Sequence, residues 1–144
     1  MISVRQLLEN KKRNAVFTLS PNDMVIDALE LMSRANIGAV MITTDGKLSG
    51  IFSERDYARK GIIQGRKAKT TPLHEVMIHQ VYTVTPDMNM EDCMELFTNK
   101  FIRHLPVLEN GDLIGMISIG DVVSTIMKEQ KDHISFLEQY ISGT

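Results

Sequence analysis

Two runs of the sequence, Gly50-Ile-Phe-Ser53-Glu-Arg-Asp56 and Gly115-Met-Ile-Ser118-Ile-Gly-Asp121, carry the same three residue types at the same offsets. Each ends an apolar run and opens a helical pattern. A serine three residues before an acid is the pattern of a helix capping box, in which hydroxyl and carboxylate each satisfy a backbone amide. The same groups suit a second chemistry. Unpaired first-turn amides and the partial positive charge of a helix start favour a phosphate. A carboxylate one turn further in can accept hydrogen bonds from two vicinal hydroxyls of a ribose. The two uses are compatible, because a capping serine can exchange an amide for a phosphate oxygen.

Other candidates for chemistry are sparse. His74, His79, His104, His133 and Cys93 stand apart, without the spacing of a zinc site. No P-loop, dinucleotide-binding glycine pattern or G-x-S-x-G turn is present, so neither metal nor catalysis is expected. The single cysteine allows no internal disulfide and suits a reducing compartment. A net charge of −2, with 24% charged residues, argues against nucleic acid as a partner. The one basic cluster, Arg66, Lys67 and Lys69, falls in a linker-like stretch. No run approaches the roughly 20 apolar residues of a membrane span, and residues 1–14 lack a signal-peptide core. A soluble, cytoplasmic chain with no membrane partner is expected.

The elements that position the two motifs repeat with them. Residues 16–56 align with residues 81–121 without a gap, keeping Pro21/Pro86, Asp27/Asp92, Gly46/Gly111, Gly50/Gly115 and Asp56/Asp121 in register. Such conservation of turn and cap residues marks a duplication. In each copy Ser20-Pro21 or Thr85-Pro86 reads as a helix start. Val25, Ala28, Leu29 and Met32, or Met90, Cys93, Met94 and Phe97, follow at helical spacing. Cys93 is thus a core residue. Ala39–Thr43 with Leu48–Phe52, and Leu105–Leu108 with Leu113–Ile117, read as hairpins around Asp45-Gly46 and Asn110-Gly111. A second helix opens at Ser53 and at Ser118.

The expected fold is therefore α+β: two βαββα repeats that bury their sheets against each other. The first spans 1–65 and includes a short N-terminal helix capped by Ser3, with Val4, Leu7 and Leu8 apolar. The second spans 66–144 and includes a C-terminal helix. Residues 62–72 form the linker. Val122, Val123, Ile126 and Met127, then Ile134, Leu137 and Ile141, form an apolar stripe that covers the body or meets another subunit.

The paired repeat, the two Gly-x-x-Ser-x-x-Asp ends and the run Ile102-Arg103-His104-Leu105-Pro106-Val107 resemble tandem CBS domains, or Bateman modules. Ser53–Lys60 and Ser118–Val123 resemble the stand-alone two-CBS proteins of bacteria and their plant organellar relatives. The resemblance implies two clefts, each combining the Ser-x-x-Asp of one repeat with residues of the other. Carried over, one cleft holds Ser118 and Asp121, with Arg103 and His104 near a phosphate and Asn14, Ala15, Ile37 and Gly38 around a base. The other holds Ser53 and Asp56 with His79, Gln80 and Ile102. Arg55 or Arg59 replaces the cations that Gly38 and Ala39 cannot supply, unless both simply face solvent.

What the resemblance implies for function is a non-catalytic module that binds an adenine nucleotide and regulates a separate, unknown protein, sensing energy or redox state. AMP, ADP, ATP, NAD(H) and S-adenosylmethionine all fit it. It also implies a homodimer joined through its helices. The alternative is an interaction module for which the ligand matters little.

Overall fold

A computed structural model describes residues 2–11 and 15–142. Its elements run α1 (Val4–Asn10), β1 (Thr18–Leu19), α2 (Val25–Ala35), β2 (Ala39–Thr44), β3 (Lys47–Ser53), α3 (Glu54–Asp56), α4 (Met90–Lys100), β4 (His104–Glu109), β5 (Asp112–Ser118) and α5 (Ile119–Ile141). One sheet orders β1-β2-β3 and the other β4-β5, and β3 lies against β5. Both hairpins turn through two residues of positive φ, Asp45 and Gly46, then Asn110 and Gly111, as an Asx-Gly turn requires. Each carries a bulge at the equivalent place, after Ile42 and after Val107.

Two expectations about the repeats need correction. The central helices start later than Ser20-Pro21 and Thr85-Pro86: their N-caps are Met24 and Asn89. Ser20 closes a turn instead, its carbonyl accepting from the amide of Asp23 at 3.0 Å while its own amide donates to the Asp23 carboxylate at 2.8 Å. The fixed φ of proline serves a turn as well as a first helical turn. The second repeat, moreover, lacks a full first strand. In the first repeat Met41 N donates to Phe17 O at 3.4 Å. The equivalent of Met41 is Pro106, which has no amide proton, and pairing there shrinks to a single bridge between Val84 and Val107.

The segment preceding each repeat completes the core of the other. Val4, Leu7 and Leu8 of α1 are buried with Met90, Cys93, Phe97, Leu105 and Ile117. Leu73, Val76 and Met77, beyond the first repeat, are buried with Val25, Ala28, Val40 and Phe52. Backbone bonds fix both exchanges: Val4 N to Met88 O at 2.8 Å, and Val25 N to Thr71 O at 2.8 Å. The halves 1–65 and 66–144 are units of sequence that interlock in space. Ser3 caps α1 with Gln6 as its capping-box partner.

The helices after the two motifs differ. After Ser53 three α-helical residues pass into a π-helical turn, Tyr57–Ile62, whereas α5 runs unbroken for 23 residues. Within the π turn the ring of Tyr57 lies where a Cβ on Gly61 would sit, 2.8 Å away. The end of α5 exposes Met127, Ile134, Phe136, Leu137, Tyr140 and Ile141 to solvent.

Candidate functional site

Both motifs form the capping box that their spacing implies. Ser53 N donates to Asp56 Oδ2 at 2.9 Å and Asp56 N to Ser53 Oγ at 3.2 Å. Ser118 N donates to Asp121 Oδ2 at 2.8 Å and Asp121 N to Ser118 Oγ at 3.1 Å. The first helical amides are also spoken for: Glu54 N donates to Gly38 O at 3.1 Å, and Ile119 N to Arg103 O at 2.9 Å. Two of the three first-turn amides are thus already satisfied in each copy, which leaves anion recognition to side chains.

Beyond the shared box the motifs diverge. Asp56 lies in a cleft of about 420 Å³ walled by both repeats. Gly38, Ser53, Arg55 and Arg59 form one wall, and Ile102, Arg103 and His104 the other. Asp56 is only 9% exposed, and the Ser53 hydroxyl donates to its Oδ2 at 2.9 Å. Where the Ser53 hydroxyl reaches Asp56, the ammonium of Lys11 reaches Asp121: Nζ stands 3.0 Å from Asp121 Oδ2 and donates to Met116 O at 2.9 Å. Val4, Leu7 and Leu8 correspond to Leu73, Val76 and Met77 in the two cores, and Lys11 follows them in a stretch that is longer before the first repeat than before the second.

Of the residues expected around the two clefts, Gly38, Ser53, Arg55, Asp56, Ile102, Arg103 and His104 line one cleft together. Arg103, expected near a phosphate beside Ser118, has its carbonyl bonded to Ile119 N, and it also lines the cleft with Ser53. His104 is the strand partner of Ser118. The imidazole, however, reaches across to the other repeat and lies 3.4 Å from where a Cβ on Gly38 would be. His79 and Gln80 are exposed, and it is Ile78 that lines the cleft. Ile78 bridges Ile51 in both directions, at 3.0 and 2.9 Å. That close approach explains Gly50, where a Cβ would meet Met77 Sδ at 2.6 Å. Ala15 is exposed, Ile37 packs beside the first core, and Asn14 lies outside the described residues.

Phe101 is a cleft residue that the motifs did not flag. It is 82% exposed and sits at φ 55, left-handed backbone that a bulky side chain adopts at a cost. Its repeat mate, Asn36, has the same conformation at φ 54. An asparagine after a helix signals such a cap, so the repeat alignment held the clue. An exposed aromatic ring on strained backbone at the mouth of a cleft is where a function is to be sought.

Burial lowers the His104 pKa below its ordinary value; Lys11 and Arg103 push the same way, against Asp121 and Asp56. His104 is therefore neutral near neutral pH while lying within the field of both carboxylates. Burial, with Asp92 nearby, raises the Cys93 thiol to about 11, which makes it an inert core group.

The family model of the CBS domain matches residues 4–62 and 73–128. A mitochondrial CBS domain-containing protein of Arabidopsis thaliana is 40% identical over 127 residues, which is 85% of this chain but 62% of the plant protein. A solved protein with CBS domains from Burkholderia ambifaria MC40-6 is 42% identical, with a TM-score of 0.85 over 89% of this chain and 96% of that one. The CBS domain pair of protein MJ0100, solved with 5′-methylthioadenosine and S-adenosyl-L-methionine, is 21% identical, with a TM-score of 0.79 over 90% and 98%.

Proposed function

This chain belongs to the CBS-domain family, with two copies of the repeat, and from that premise we propose that it is a non-catalytic regulatory module that binds an adenine nucleotide between them. The observation that carries this reading is Asp56. Its carboxylate is nearly buried in a cleft walled by both repeats, and Ser53 holds one oxygen while the other remains available to a ribose. A diol donating to a carboxylate makes charge-assisted bonds, the stronger class of hydrogen bond. Phe101 offers a face for the base. The ligands solved in protein MJ0100 are both adenosine derivatives on the same fold, which supports an adenosine group here. A ligand that spans both walls would couple its concentration to the angle between the repeats, which a separate cytoplasmic partner protein could then read.

The test is a thermal-shift series with AMP, ADP, ATP, NADH and S-adenosylmethionine. Anything that binds only the native state raises its stability, by about 2.7 kcal/mol at a hundred times Kd. A melting temperature unmoved by every one of them refutes the reading.

The end of α5 favours an additional role as an interface. Ile134, Phe136, Leu137 and Tyr140 are exposed on the last turns of α5, beyond the part of the helix that packs on α1 and α4. Pairing of two copies along α5 would bury them, and two-fold pairing is the commonest closed symmetry. Light scattering should give about twice the chain mass of 16.3 kDa; the mass of a single chain would exclude the homodimer.

A further inference from the structure

The cleft around Asp56 is lined by three arginines against two acids, Asp56 and Glu54. Arg55 and Arg59 line it from the segment after Ser53, and Arg103 lines it from the opposite repeat. Among the described residues the carboxylate ion pairs are Arg5–Glu109, Lys11–Asp121 and Lys47–Asp112, so none of the three arginines is paired. Asp56 is engaged by the Ser53 amide and hydroxyl, which leaves Glu54 as the other acid on the walls. Arg103 is also fixed in place, since its carbonyl accepts from Ile119 N at the start of α5.

Resting on the adenine-nucleotide reading above, we propose that this cleft selects an adenosine carrying two or more linked phosphates, gripped by Arg55, Arg59 and Arg103. A guanidinium presents a planar fork that matches two oxygens at once. A single phosphate gathers its three acceptor oxygens at one point, whereas the three arginines stand on opposite walls of the cleft. A diphosphate or triphosphate offers more, spread along a chain that reaches from one wall to the other. Adenosine leaves all three cations unanswered, and S-adenosylmethionine adds a positive sulfonium to them. The matching class is therefore an adenosine 5′-diphosphate group, whether in ADP, in ATP or inside a dinucleotide.

Titration calorimetry on the whole chain, in magnesium-free buffer, compares adenosine, AMP, ADP, ATP, NADH and S-adenosylmethionine. ADP and ATP should bind about tenfold tighter than AMP, with adenosine and S-adenosylmethionine weakest. Arg103→Ala, Arg55→Ala and Arg59→Ala should each weaken ATP about fivefold while leaving adenosine within about twofold, and added salt should weaken ATP far more than adenosine. All three arginines are exposed, so melting curves should show that the variants remain folded. NADH as tight as ADP assigns the grip to the shared diphosphate; NADH much weaker than ADP assigns it to a terminal phosphate, and either supports the proposal. If adenosine or AMP binds as tightly as ATP, or the arginine variants leave the ATP-to-adenosine ratio unchanged, the proposal is overturned and the adenine reading stands. If no adenosine compound binds, the adenine reading falls and the proposal falls with it.

Discussion

Asp56 and Asp121 hold equivalent places in two copies of one motif, and their carboxylates make the same bond to the serine amide. What surrounds them has diverged. Asp56 faces a cleft edged by arginines, while Asp121 is bonded to Lys11. The flanking segments differ more than the motifs do: Leu7 and Val76 hold equivalent places in the two cores, but the chain from Leu7 to the first repeat is longer than that from Val76 to the second, and Lys11 lies in it. A duplicated site becomes two sites by changing what reaches it, with the shared motif left intact. In the first copy the Ser53 hydroxyl shares the oxygen that the serine amide holds, and in the second the ammonium of Lys11 takes that place.

The largest expected effect tests that division. Asp56→Ala should weaken nucleotide binding by about ten- to a hundredfold, since losing a hydrogen bond to a charged group costs roughly 1.5–3 kcal/mol. Asp121→Ala should leave affinity within about threefold and instead lower stability by about 1 kcal/mol, because it removes half the capping box of a 23-residue helix. Calorimetry and thermal melting on both variants read the two outcomes. Equal losses of affinity would dissolve the distinction.

A smaller effect separates Phe101 from Asn36. Both are left-handed caps, but only Phe101 lines the cleft around Asp56. Phe101→Gly should stabilise the fold by about 1 kcal/mol through relief of backbone strain and at the same time weaken nucleotide binding. Asn36→Gly should stabilise less and leave binding unchanged. A Phe101→Gly protein that binds as tightly as the original would remove the ring from the site.

The smallest effect lies in the titration of His104. Its folded pKa is depressed from 6.5, chiefly by burial, with Lys11 contributing. Below about 6.5 the unfolded chain binds this proton before the folded one does, so stability falls as the pH drops from there toward the folded value. His104→Asn should flatten that loss. Lys11→Ala removes a positive neighbour and should raise the His104 midpoint, followed by the NMR shift of its ring protons. A midpoint that falls or stays fixed would mean that Lys11 does not stand beside the imidazole.

Much of this architecture is legible in the sequence, because local chemistry dictates it. Asp45-Gly46 and Asn110-Gly111 fix the hairpins through positive φ, and the serine-aspartate spacing fixes the helix starts after them. Ser20-Pro21 misleads because a turn and a helix start share the same proline geometry. Pro106 erases a strand in another part of the chain, an effect visible only once strand partners are known. The site is less legible for the same reason. Lys11 meets Asp121 across 110 positions of sequence, and Arg103 joins Ser53 because the repeats interlock. No local periodicity encodes either encounter. Phe101 was within reach, since the alignment of repeats sets it opposite an asparagine cap.

The inequivalence of the two clefts is tested most directly by the stoichiometry of ATP binding to the whole chain, measured by calorimetry beside Lys11→Ala. Unmodified protein should take up one tightly bound ATP per chain, and this phase should vanish in Asp56→Ala. Lys11→Ala should keep that phase and add a second, weaker one as Asp121 is released. Two equal sites per chain in the unmodified protein, or a tight phase that survives Asp56→Ala and disappears in Asp121→Ala, would contradict the account.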